Sequence, residues 1–131
     1  MGYTRYWKTT GKPFTDEFVK MNKNIVSIAE TKFDIVIKNG IGEDKPIINK
    51  EKILLNGDAE HGLDHETYCL ISEEKSDFEF CKTARKPYDV VVNALLQIAN
   101  EYGYVKDVRN DGPYNDEKAD LLIAEAMTLT T

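Results

Sequence analysis

Pro87-Tyr88-Asp89-Val90-Val91-Val92-Asn93-Ala94-Leu95-Leu96-Gln97-Ile98-Ala99-Asn100-Glu101-Tyr102-Gly103 is the stretch that decides the fold. Proline suits the first helical turn, where its missing N–H costs nothing. Val91, Ala94, Leu95, Ile98 and Tyr102 fall on one face at helical spacing, and Gly103 fits the left-handed position just past the end. The flanks change period. Phe78-Glu79-Phe80-Cys81 before the helix and Tyr104-Val105-Lys106-Asp107-Val108 after it read as strands.

The same two periodicities extend outward. Thr15 suits an N-cap, Asp16 and Glu17 carry the right sign for a helix start, and Phe18, Met21, Ile25, Ile28 and Ala29 predict a helix over 16–31. Upstream, Tyr3-Thr4-Arg5-Tyr6-Trp7 alternates like a strand. Downstream, Phe33 to Ile37, Ile47-Ile48, Lys52 to Leu55 and Glu66 to Ile71 are strand candidates, with Asn56-Gly57 as a turn, 57–65 as a loop and Ser72 to Asp77 charged and solvated. Asn110 to Pro113 forces a turn. Asp116 suits the cap of a last helix over 117–128, marked by Leu121, Leu122, Ala124, Ala126 and Met127. The expectation is one α+β domain over 1–131, a mainly antiparallel sheet packed with about three helices.

With 41% hydrophobic and 31% charged residues, the 131-residue chain has a globular balance. No apolar run approaches the length of a membrane span, and the first residues lack a secretory core or a myristoylation pattern, so a cytoplasmic location is expected. The net charge of −6 argues against the extended basic face of a non-specific nucleic-acid binder, so no direct nucleic-acid binding is expected. It leaves an acidic, protein-directed inhibitor open. Cys69 and Cys81 read as reduced core residues.

Three clusters carry chemistry. Lys82, Arg85 and Lys86 sit just before a helix start whose free N–H groups favour an anion; Arg85 suits a bidentate grip on phosphate or carboxylate, with the lysines as point charges. Asp89, in the first turn, is expected to hold Arg85 in place. Asn56 to Glu66 holds both histidines, His61 and His65, among carboxylates. Gly57 and Gly62 oppose the helix that a metal-binding i, i+4 pair needs, so no metal is assigned, and His65 and Glu66 are read as ligand contacts. The aromatic start, Tyr3, Tyr6 and Trp7 with Arg5, offers stacking on a base or, equally, sheet packing. Cys69 lies in an apolar strand, and there is no nucleophile elbow, phosphate-cradling glycine loop or CxxC, so the chain reads as a non-enzyme without a cofactor.

Met1-Gly2-Tyr3-Thr4-x-Tyr6-Trp7, Leu55-Asn56-Gly57, His65-Glu66-Thr67 and above all Phe80-Cys81-Lys82-Thr83-Ala84-Arg85-Lys86-Pro87-Tyr88-Asp89 resemble a family of small bacteriophage and prophage proteins. Its members tend to begin MGYTHYW and share the FCKTARKPYD block; Asp111-Gly112 also matches. The family often has histidine where this chain has Arg5, so a proton-carrying or metal-ligating role does not carry over, and Arg5 remains a candidate anion contact. The resemblance implies a phage context, in which small accessory proteins often counter host defence.

The combined expectation is a protein that sequesters a small anionic nucleotide-type ligand, such as a cyclic nucleotide or an ADP-ribose derivative. Arg85, Lys82, Lys86 and Arg5 would hold phosphate. Tyr3, Trp7 and Tyr88 would stack or line the base site, and Asn56, His65 and Glu66 would read base or ribose edges. A homodimer or higher oligomer is expected to complete so small a pocket. The alternatives are an inhibitor acting on a host defence complex through its acidic surface, and a hydrolase using His61, His65 and nearby carboxylates.

Overall fold

The computed structural model describes residues 2–114 and 116–129. The elements run in the order β1 (Thr4–Thr10), α1 (Asp16–Lys32), β2 (Ile47–Ile48), β3 (Lys52–Leu55), β4 (Tyr68–Ile71), β5 (Lys75–Lys82), α2 (Asp89–Glu101), β6 (Val105–Asn110) and α3 (Asp116–Thr128), an α+β arrangement. The strands form two antiparallel three-stranded sheets instead of one. The larger has the order β5-β1-β6 and the smaller β2-β3-β4. The N-terminal strand is therefore the centre of the larger sheet, and its neighbours come from far along the chain.

Local chemistry sets the helices. Thr15 caps α1, its hydroxyl accepting from the Phe18 N–H at 3.2 Å. Gly103, at φ 85°, takes the left-handed position just beyond α2. Asp116 is the first helical residue of α3, so the cap position, residue 115, lies outside the described residues, as does the Met1 of the opening motif.

One core joins the layers. Phe18, Ile25, Val91, Leu95, Ile98 and Leu122 are fully buried where the three helices meet. Phe14, Phe18 and Tyr104 form an aromatic knot, with Phe18 and Tyr104 stacked at 4.0 Å. Trp7 reaches Tyr68 at 5.6 Å and so ties the larger sheet to the smaller one.

Two expectations are revised, each for a physical reason. Phe33 to Ile37 is no strand. Ile35 and Ile37 are buried, as alternation requires, but Asp34 turns left-handed at φ 55°, and among the described residues the only ladder contact nearby is a single bridge from Lys38 to Asn56. A strand needs a partner as well as a pattern. Conversely, the strand expected over Phe78 to Cys81 runs longer, Lys75–Lys82, because Lys75 finds a partner in Thr10; the charged stretch Ser72 to Asp77 is mostly exposed, as expected.

Candidate functional site

The start of α2 already holds an anion, and it is the chain's own. Asp89 is fully buried in the first turn. Arg5, 2% exposed, grips it with two hydrogen bonds: Nε donates to Oδ1 and Nη2 to Oδ2, both at 2.8 Å. Thr83 Oγ1 donates to Oδ1 at 2.6 Å, and Arg5 Nη2 also donates to the Tyr114 carbonyl at 3.0 Å. Asp89 thus holds Arg5, not Arg85, and Arg5 is drawn into the interior.

Arg85 sits outside this pair on a tight turn. The Lys86 N–H donates to the Thr83 carbonyl at 3.0 Å, and the two central residues, Ala84 and Arg85, have φ of 52° and 59°. That is the pattern of a type I′ turn without the glycine or asparagine it favours, at a cost of roughly 1–2 kcal/mol per residue. The Arg85 guanidinium lies 5.4 Å from the Tyr3 ring and 5.3 Å from the Tyr114 ring, and it makes no ion pair among the described residues.

The other expected ligand contacts are mostly taken up by the fold. Tyr3 is buried and its hydroxyl donates to the Gly112 carbonyl. Trp7 is core. Asn56 is buried and clamps the 57–67 loop: its Oδ1 accepts from the Gly57 and His65 N–H groups, and its Nδ2 donates to the His65 carbonyl at 3.0 Å. Tyr88 OH donates to the Glu66 carbonyl at 2.5 Å, and burial pushes its phenol well above the usual range. Glu66 Oε1 accepts from the Lys82 N–H at 2.8 Å, closing one end of β5. Lys86 Nζ donates to the Gly62 carbonyl at 3.1 Å. His65, Lys82 and Arg85 have exposed side chains. The block from Phe80 to Asp89 therefore does much structural work, joining β1, β5, α2 and the 57–67 loop.

The two histidines do not meet in a shared ligand set. His61 instead faces Asp58 and Glu60, whose ligand atoms lie within 4.8 Å of one another. Its Nδ1 is 2.6 Å from the buried Asp58 Oδ2. That hydrogen bond raises the imidazole above its ordinary 6.5 and lowers the carboxyl below 3.8. A raised imidazole favours the fold fully below pH 6.5 and stops doing so as pH climbs through the folded value. The lowered carboxyl favours it above pH 3.8 and stops as pH falls through the folded value. NMR titration should find the His61 midpoint above 6.5, and Asp58→Asn should return it toward 6.5.

Both cysteines are free. Cys81 is fully buried, its Sγ 3.4 Å from the Glu66 carbonyl, and burial pushes its thiol up to about 12. At pH 8 only about one thiol in ten thousand would then be thiolate, the reactive form. Cys69 is half-buried and its thiol is also raised by burial. Iodoacetamide should label Cys69 first, and Cys81 only once the protein unfolds; rapid native labelling of Cys81 would contradict this.

The outer face of the larger sheet carries side chains outside the three sequence clusters. Arg5, Trp7 and Cys81 point into the core, so Tyr6 and Phe80, which pair across β1 and β5, point out. Phe78 is 56% and Phe80 46% exposed, and the rings form a row: Tyr6 to Phe78 at 6.1 Å, Phe78 to Phe80 at 5.6 Å. Around the row stand Lys82, paired with Thr4, Arg109, paired with Tyr6, and Lys8 with Lys106. The nearby carboxylates are Asp77, beside Phe78, Asp107, bound by Lys8 at 3.2 Å, and Asp111, which accepts from Tyr6 OH and the Thr4 N–H. The signal was present as Phe78-x-Phe80, a period of two with aromatics on the side opposite buried Cys81. Comparison with protein-family models, with curated proteins and with solved structures returns no match to this chain.

Proposed function

We propose that this chain is a non-catalytic binding protein for an anionic nucleotide-type ligand, and that it serves a phage as an accessory factor against host defence. The phage context rests on the resemblance of the Phe80–Asp89 block and the opening motif. The observation that carries the binding reading is the outer sheet face, where three aromatic rings in a row are framed by Lys8, Lys82, Lys106 and Arg109 in a protein of net charge −6. Exposed large aromatics are informative where exposed single apolar residues are not. A ring row with cations at its rim matches a base with its phosphate. Arg85, stacked on two tyrosines and without an ion pair, is a second phosphate-directed group.

Thermal melting against nucleoside phosphates, cyclic nucleotides and ADP-ribose tests this. Ligand at about 100 times its Kd stabilises the fold by roughly 2.7 kcal/mol, a rise of several degrees for a domain of this size. Recovery of intact ligand by mass spectrometry is expected. Phe80→Ala should remove the shift without changing the melting temperature of the free protein. An unchanged melting temperature across the panel, and with a short oligonucleotide, at millimolar ligand overturns the reading, and chemically altered ligand replaces it with an enzymatic one.

A further inference from the structure

Resting on that reading of the sheet face, we infer that its ligand is a short segment of single-stranded DNA laid across the row Tyr6, Phe78 and Phe80. Small ligands bind in concave sites that bury most of their surface. This row lies on an open face, with Phe78 and Phe80 about half exposed, so one nucleotide would find a single ring and little enclosure. A strand gains by repetition, since each further base adds a ring and each phosphate a cation.

The spacing selects a single strand. The rings are 5.6 and 6.1 Å apart, wider than the roughly 3.4 Å per nucleotide along a stacked strand. Bases matched to this row are unstacked from one another, one per ring, which a duplex does not allow. Three rings seat three bases, and one further nucleotide reaching a rim cation brings the site to about four, the low end for a single-strand platform.

The charge is local. Net charge argues against nucleic-acid binding only as an average: the chain is acidic overall, yet Lys82 on β5 and Lys106 and Arg109 on β6, none in an ion pair among the described residues, stand on both sides of β1. Of the carboxylates near the row, Asp107 is bound by Lys8 and Asp111 by Tyr6 and the Thr4 N–H, which leaves Asp77, beside Phe78. One carboxylate with no second hydrogen-bonding group beside it does not fix a ribose hydroxyl, so stacking with phosphate contact is the main part of the recognition.

Fluorescence anisotropy of labelled oligothymidylates of one to twelve nucleotides, with the whole chain, is the test. Affinity should rise steeply to about four nucleotides and then level off. With about three phosphates contacted, log K against log salt should have a slope near −2. Phe80→Ala and Phe78→Ala should each weaken binding about tenfold or more, and Phe80→Tyr should restore it. Both positions are exposed, and circular dichroism and melting should match the parent chain. Equal affinity for thymidine monophosphate and the twelve-mer overturns this inference while sparing the nucleotide reading; no binding of either overturns both. Tighter binding of duplex or of oligouridylate overturns the single-stranded DNA assignment. A dimer in sedimentation at micromolar concentration that Phe80→Lys dissociates also overturns it, because a second copy would then cover the row.

Discussion

Asp89→Asn is expected to cost about 3–5 kcal/mol of folding stability, because it leaves the Arg5 guanidinium buried without its counter-charge. Arg5 is 2% exposed and Asp89 fully buried, with two bonds of 2.8 Å between them, so neither group has water to fall back on. Domains of this size are stable by only about 5–15 kcal/mol in total. A melting temperature lower by roughly 10–20 °C should follow, measured by circular dichroism or calorimetry. Arg5→Met should be about as damaging, since it strands the carboxylate. The double variant Arg5→Met with Asp89→Leu should be much less destabilised than the sum of the two, because no buried charge is left unpaired. Single variants that melt within a degree or two of the parent would mean that the pair does not hold β1 to α2.

This pair also shows where sequence reading reaches its limit. The local pattern marks Arg5 as an anion contact and Asp89 as a partner for Arg85. Their union depends on β1 lying at the centre of a sheet whose other strands begin at Lys75 and Val105. That pairing is a tertiary fact that no local window contains. Helices are different. The apolar steps of α1 and α2, the Thr15 cap and the Gly103 stop are all local, and they were legible to within a residue or two.

The candidate site was half legible for a related reason. Net charge averages over the surface, so −6 concealed a sheet face where cations cluster. The alternation of β1 by itself places Tyr6 on the face opposite Tyr3 and Arg5. What it could not supply was which face the helices would cover. They cover the side carrying Arg5 and Trp7, and this leaves Tyr6 beside Phe78 and Phe80 in solvent. On the buried side Arg5 is met by Asp89 and the Tyr114 carbonyl. The exposed side keeps its aromatics. A polar residue inside and large apolar residues outside are two consequences of one choice of face.

Gly57→Ala is expected to be nearly as destructive as loss of the ion pair, for a purely steric reason. A Cβ on Gly57 would lie 2.0 Å from the Leu63 carbonyl oxygen, 2.8 Å from its carbon and 3.1 Å from Tyr88 Cδ1. The first two obstacles are backbone, so no rotamer change relieves them. Moving Leu63 is costly too. Its N–H is held by the Asp58 carbonyl at 2.8 Å, and Asn56 fixes His65 two residues on. Retreat on the other side meets Tyr88, whose hydroxyl is anchored to Glu66. A clash that neighbours cannot relax should cost about 3 kcal/mol or more, at the upper end for overpacked sites. Urea unfolding should show a lower midpoint with an unchanged m-value. Hydrogen exchange should locate the loss at Asn56–Thr67 and the start of α2. Gly62→Ala is the internal control: at φ 69° it strains the backbone, but its Cβ meets nothing within 4 Å. That variant should lose only about 1–2 kcal/mol. If the two variants melt together, backbone conformation and not the close packing of the 57–63 loop against Tyr88 governs this corner of the fold.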